Sequence, residues 1–218
     1  MKAFLKLGLA WLALVASSGA VADNNFGVGV KAGTLGAGIE GTWRPVPYLD
    51  VRVGTNFFDY DDTGTQAGVN YDATLSLDTI YATANFHFPL SPMRVTAGLH
   101  SNGNELKLES AEEGSFEIGG TTYTGAEVGT LRSTSTFSST SPYLGFGFDF
   151  SVAGKVGLNL DLGVLWQGDP DVSVAADGLL ASDPTFLQSL EEERLELEDE
   201  VSDFKAWPVI SLGFVYNF

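Results

Sequence analysis

No cysteine occurs in the 218 residues, which excludes disulfides, thiolate metal sites and cysteine nucleophiles. The lack also suits a chain that crosses an oxidising compartment unfolded. Basic residues are scarce: 11 Lys and Arg stand against 28 Asp and Glu, for a formal charge of −17. A basic groove for nucleic acid is therefore excluded. Charged residues make up only 18% of the chain, yet mean hydropathy is just +0.09. No run of about 20 apolar residues is present, so no helix can span a bilayer.

Glycine is abundant, at 26 residues, and aromatic side chains reach 12% with Phe leading. That mixture fits neither a disordered chain nor a helical bundle. It fits one domain of many strands, relieved by glycine and belted by aromatics. Residues 1–22 read as a cleaved export signal. Lys2 and Lys6 form the positive end, Leu7 to Ala16 the apolar run, and Ala20-Val21-Ala22 the cleavage site. Cleavage removes two lysines and no acid, taking the charge from −17 to −19, and leaves a mature domain at 23–218.

The mature domain alternates with period 2. Val156, Leu158, Leu160, Leu162, Val164 and Trp166 share one face, and Gly157, Asn159, Asp161 and Gly163 the other. Leu144, Phe146, Phe148 and Phe150 are likewise opposed to Tyr143, Gly145, Gly147 and Asp149. Periodicity alone allows a sandwich with a dry core or a barrel with its apolar face in lipid. Connection lengths favour the barrel. Short turns at 45–47, 89–92 and 151–155 alternate with long polar connections at 60–70, 110–139 and 168–205, the asymmetry of outer-membrane barrels with periplasmic turns. Eight strands are expected, at 26–32, 36–44, 49–59, 71–88, 93–108, 139–150, 156–166 and 207–218, with a very tight first external turn near Gly33-Thr34. The fold class is all-β: a closed, antiparallel, eight-stranded transmembrane β-barrel with long external loops.

Across the turn at 89–92, the expected register pairs Phe86 with Val95, Ala84 with Ala97 and Ala82 with Leu99 facing out. Thr83 with Gly98, Tyr81 with His100 and Thr79 with Asn102 face in. Apolarity then changes face at Leu75, Leu77, Leu106 and Leu108, so these strands are expected to continue above the membrane after paired bulges. In the turn at 44–49, pairing Trp43 with Leu49 sets Glu40 directly opposite Arg52 as an ion pair in the lumen. Tyr81, Arg94, His100, Asp149 and Asp161 are further polar lumen residues. Inward glycines at 145, 147, 157 and 163 would thin the lumen filling. Trp166 and Trp207 are expected at the outer rim, and Trp43, Phe88, Phe150 and Phe218 at the periplasmic rim.

The chain ends Ile210-Ser211-Leu212-Gly213-Phe214-Val215-Tyr216-Asn217-Phe218. Leu212, Phe214, Tyr216 and Phe218 resemble the terminal-strand signal read by the barrel-assembly machinery. With this end in place, the mature chain resembles the small eight-stranded outer-membrane barrels of the OmpA/OmpX/OmpW-like superfamily. Lys31-Ala32-Gly33-Thr34-Leu35-Gly36, Asp161 to Gly168 and the acidic segment before the last strand are similar to a proteobacterial group of outer-membrane proteins. That similarity implies the fold and a Gram-negative outer membrane, and brings no activity.

The last loop predicts an acidic helix over about 184–204, capped by Asp183 with Pro184 in its first turn. Its stripe is Phe186, Leu190, Leu197, Val201 and Phe204. Phe116 to Tyr123 predicts a hairpin about Gly119-Gly120 above the membrane. Asp59, Asp61, Thr63 and Gly64 echo the start of a calcium loop, but Asn70 stands where its closing glutamate belongs, so diffuse cation bridging to lipopolysaccharide phosphates is expected instead. His100 and Ser101 are adjacent, hence on opposite faces of a strand, and form no hydrolase pair. His87 reads as a polar rim residue. The expectation is a porin-like cell-envelope barrel that is not an enzyme, holds no cofactor or metal, and acts through external loops on an unknown ligand or in envelope integrity. Its partners would be outer-membrane lipid, lipopolysaccharide and the assembly machinery. A minor pore or a lateral path for small hydrophobic molecules is the alternative.

Overall fold

The computed structural model describes residues 25–66, 69–110, 114–153 and 155–218. The export signal read at 1–22 lies outside them. Eight strands close on themselves: β1 (Phe26–Gly33), β2 (Gly36–Val46), β3 (Leu49–Gln66), β4 (Val69–His87), β5 (Met93–Asn102), β10 (Thr140–Ala153), β11 (Val156–Trp166) and β13 (Ala206–Asn217). Each pairs antiparallel with its neighbours, β1 with β13 sealing one seam and β5 with β10 another. A closed ladder leaves no edge and satisfies every backbone group within lipid.

Side-chain parity gives the barrel its inside and outside. Even residues of β13, Ile210, Leu212, Phe214 and Tyr216, are exposed, whereas the odd residues Val209, Ser211 and Val215 are buried. The same holds in β4, where Ala82, Ala84 and Phe86 face out and Tyr81, Thr83 and Asn85 face in. The outer face is thus apolar and the inner face polar, the reverse of a soluble protein. Trp43, Phe88 and Phe150 lie on the outward face near the periplasmic turns, with Trp166 at the opposite end.

The β4–β5 register is as expected, with Tyr81 opposite His100 and Ala84 opposite Ala97. The β2–β3 register is not. Thr42, not Glu40, faces Arg52, and Glu40 faces Gly54. An extra residue bulges between Trp43 and Val46, and the chain turns through Tyr48 at φ +70°, so the strands are offset by two residues. Parity survives a shift of two, and Arg52 still points inward. The first hairpin closes through Thr34 and Leu35, with Gly36 at φ +93°, a conformation open to glycine.

Above the membrane the chain builds more sheet than the sequence suggests. Most of the connection expected at 60–70 is strand, since β3 and β4 pair out to Gln66 and Val69. The single strand expected over 93–108 breaks at Gly103-Asn104 into β5 and β6 (Glu105–Ser110), both paired with β4 in one unbroken register. No bulge intervenes; the apolar side changes because the surroundings change. β9 (Leu131–Thr136) and β12 (Asp171–Ala176) add to β6. Over this extension sit the hairpin β7 (Ser115–Ile118) and β8 (Thr121–Thr124), the short helix α1 (Gly125–Val128) and α2 (Pro184–Glu200).

Candidate functional site: a plugged lumen under a folded cap

Eight strands leave an interior that side chains just fill. Arg94, 1% exposed, crosses it from β5. Its Nε donates to both carboxylate oxygens of Asp149 at 3.1 Å, Nη1 to Asn85 at 3.1 Å and Thr96 at 2.7 Å, and Nη2 to Asp161. Arg52 Nη2 donates to Asp149 at 3.2 Å, and its Nη1 lies 3.5 Å from Glu40. The Glu40–Arg52 pair therefore exists diagonally, across the bulge-shifted register. Asp50, wholly buried, accepts from Asn85 at 2.6 Å, meets His87 Nε2 at 2.5 Å and lies 3.4 Å from Arg52 Nε. Glu40 also accepts from the Tyr81 hydroxyl at 2.9 Å and has Lys31 at 3.9 Å.

The charges balance. Glu40, Asp50, Asp149 and Asp161 are matched by Lys31, Arg44, Arg52 and Arg94. Such pairing makes burial tolerable, because each ion loses water and gains hydrogen bonds to an opposite charge. Toward the external end, the rings of Tyr81 and His100 stack at 5.1 Å, and Tyr143 leans on His100 at 5.4 Å. Leu35, Tyr143, Leu165 and Val209 then form an apolar seal, with Trp207 packed against it. Trp207 thus points inward at the outer end instead of joining the lipid-facing girdle, as the odd parity of β13 requires. Asn102 and Asn104 donate to Gln167 Oε1 at 3.1 and 2.7 Å above this seal.

Three of the four inward glycines do not thin the lumen, whereas Gly157 lines an open recess near the periplasmic end. A side chain at Gly145 or Gly163 would meet the Tyr143 hydroxyl at 2.5 Å, and one at Gly147 would meet the Arg94 guanidinium at 2.7 Å. Their missing side chains make the room these large groups occupy. What remains is a cavity of about 30 Å³ between Lys31, Arg94, His100 and Asp161, space for a water or two. A second, polar recess of about 120 Å³ lies by Arg44, Asp149 and Asn159 near the periplasmic end.

The structure brings Glu40, Arg52, Tyr81, Arg94, His100, Asp149 and Asp161 into one lumen. Asp50, Asn85, His87 and Thr96 belong to the same network, and the sequence reading does not single them out as lumen residues. Inward parity, carried along β3 to β5, is the signal that could have found them. His87, expected at the rim, bridges Asp50 and Asp149. Leu212, Phe214 and Tyr216 lie on the outer face of β13, with Phe218 just past its end. His100 is buried and Ser101 exposed, on opposite faces. Among the described residues no group of His, Asp or Glu is placed to hold a metal ion. Asp59 and Asp61 lie in regular strand, and Asp61 accepts from Thr74 at 2.8 Å.

The cap has a dry core. Phe116, Ile118, Val128, Phe186 and Leu190 are buried together, with Tyr71, Leu131 and Val174 against them. Asp183 caps α2 by accepting from the Thr185 and Phe186 amides at 2.9 and 3.1 Å. The helix ends at Glu200 and continues as a 3₁₀ turn (Val201–Lys205), so Phe204 leaves the expected stripe and packs by Trp207, ring centres 5.9 Å apart. Asp177 ties the loops, accepting from the Thr130 amide at 2.8 Å and Arg132 at 2.9 Å. The hairpin turns through Gly119 and Gly120 at φ +54° and +71°.

No family model matches the chain. No curated relative matches it either. Among solved structures it is similar to Acinetobacter baumannii CarO2, 21% identical over 88% of this chain and 98% of that one, with a TM-score of 0.60. It is also similar to Acinetobacter baumannii CarO, at 20% identity, 88% and 97% coverage and a TM-score of 0.56. A major outer membrane protein of Thermus thermophilus matches at 15% identity over 88% of this chain and 98% of that one, with a TM-score of 0.45. With an apolar outer face and a polar lumen, and by its likeness to the first two of these structures, the chain has the fold of the small outer-membrane β-barrels.

Proposed function

We propose that this barrel is non-conducting and non-enzymatic, and that it acts through its folded external cap, by binding or by supporting the integrity of the envelope. The observation that carries this reading is the Arg94 crossing to Asp149 and Asp161, with Arg52 beneath it, which leaves only about 30 Å³ open in that stretch. A charge-balanced plug also carries no net charge to draw an ion in. Lipopolysaccharide phosphates, bridged diffusely by divalent cations to the acidic external loops, are the lipid partner in this reading. Leu212, Phe214, Tyr216 and Phe218 serve as the signal for the assembly machinery.

The polar recess of about 120 Å³ near the periplasmic end favours the alternative of a minor pore. Conductance in a planar bilayer decides between them, with unboiled gel mobility showing that the barrel has folded. The folded protein is expected to be silent. Steady openings would overturn the plugged-barrel reading and make Arg52, Arg94 and Asp161 the residues that control the path.

A further inference from the structure

The sheet extension above the membrane has two outer strands, and the chain treats them differently. β12 lies against α2, and Val172 within it is buried. β3 is left bare. Its pairing with β2 stops at Phe57, and from Phe58 to Gln66 it has β4 on one side and, among the described residues, no strand on the other. None of the described backbone hydrogen bonds outside the ladders involves these nine residues. Every residue from Phe57 to Gly64 is exposed. Apart from the Thr63 amide, which donates to the Asp62 carboxylate at 2.9 Å, a row of main-chain N–H and C=O groups is therefore presented to water, the template for an added strand.

Its flanks have a definite chemistry. Phe58 and Tyr60 stand on the face that continues the lumen side, their rings stacked 6.4 Å apart, and pair across to Leu77 and Leu75 of β4. Asp59, Asp61 and Asp62 interleave with them. Between Arg52 and His87 neither β3 nor β4 contains a lysine or arginine. Two copies of this edge would set acid against acid, which disfavours self-pairing.

We propose that the Phe58–Gln66 edge of β3 is a docking site for an extended cationic peptide segment of a partner outside the cell, which adds to the sheet as a further strand. Main-chain hydrogen bonds to the bare edge hold it, Phe58 and Tyr60 receive alternate apolar side chains on one face, and Asp59 and Asp61 receive the lysines or arginines on the other. This rests on the reading that the protein works through its external face, and names the class of partner.

The test uses the full mature barrel refolded in zwitterionic micelles and a fluorescent octapeptide of alternating lysine and valine, followed by anisotropy. A second peptide of the same sequence carries N-methyl groups on alternate backbone amides, which remove strand pairing and keep charge and apolar content. Saturable binding of the first peptide is expected, weakened roughly tenfold or more by N-methylation and by the triple variant Asp59→Asn, Asp61→Asn, Asp62→Asn, whose residual binding depends less on salt. Equal binding of the two peptides would reduce the site to diffuse charge attraction and overturn the proposal. So would no binding, or dimerisation through β3 in place of binding. The bilayer measurement is independent: a conducting barrel that still distinguishes the peptides would sink the plugged-lumen reading and leave this one standing.

Discussion

The barrel and the cap share strand β4, yet they turn opposite chemistries to their interiors. Within the membrane the inward residues of β4 are Asn85, Thr83, Tyr81 and Thr79; two residues further, on the same side of the same strand, Leu77 is buried and Leu75 half-buried. The register with β5 and β6 runs on unbroken through this change. What differs is the solvent. In the barrel, lipid rewards apolar side chains outside and leaves polar ones to pair within. In the cap, water surrounds the sheet, and the ordinary hydrophobic effect collects Phe116, Ile118, Val128, Phe186 and Leu190 inside. One regular strand can serve two solvents because parity decides only which residues share a face, and each environment decides which face is dry.

The contrast can be broken most severely in the lumen. Arg94→Ala leaves Asp149 and Asp161 without their main counter-charge, and a cost of about 3–5 kcal/mol is expected in urea unfolding from lipid vesicles. Phe186→Ala should cost the cap about 3 kcal/mol or more. Limited proteolysis should then cut the loops while the heat-modifiable gel mobility of the barrel stays unchanged. If both move together, cap and barrel fold as one unit and the contrast fails. On the lipid face, Phe146→Arg is expected to cost about 2–4 kcal/mol; a comparable loss from the cap-surface change Leu187→Arg would deny that lipid is what Phe146 faces. A smaller effect belongs to the helix cap, where Asp183→Ala should loosen α2 by about 1 kcal/mol in amide exchange.

Acid should loosen the cap without mutation. The Thr130 amide, and then Arg132, hold the Asp177 carboxyl below its ordinary value, and the Thr124 amide and hydroxyl do the same for Glu127. Both groups lie in the cap. A carboxylate depressed on folding contributes its full stabilisation above the unfolded value and loses it as pH falls through the folded one. Cap protection in amide exchange, corrected for the intrinsic pH dependence, is therefore expected to fall as pH drops through and below the ordinary carboxylate range. Unchanged cap protection across that range would sink the assignment of Asp177 as the clasp.

The β4–β5 hairpin is legible in the sequence because a proline-flanked short turn and about ten residues of one-sided apolarity leave a single register that keeps Ala82, Ala84 and Phe86 in lipid. The β2–β3 hairpin is legible in its faces and not in its offset. The tight turn at Pro47-Tyr48 and the one-residue bulge beside Pro45 together change the pairing by two residues, which parity cannot detect. β9 and β12 are hidden for another reason. Leu131-Arg132-Ser133-Thr134-Ser135-Thr136 has little apolar alternation, and its buried serines are dry only because the cap lies over them. The chemistry of Trp207 points to the girdle, and its odd position in β13 outweighs that chemistry.

Sequence alone determined the features set by period and composition: the eight strands of the barrel, their inward and outward faces, the absence of a spanning helix, the capped acidic helix and the Gly-Gly hairpin. Each depends on residues near one another in the chain, so local spacing carries the signal. Tertiary structure decided what joins distant segments: Arg94 reaching from β5 to β10 and β11, the glycines making room for Tyr143, the collected cap core, and the edge of β3 left without a neighbour among the described residues. Those depend on where closure of the ladder sets each strand, and closure is a property of all eight strands together.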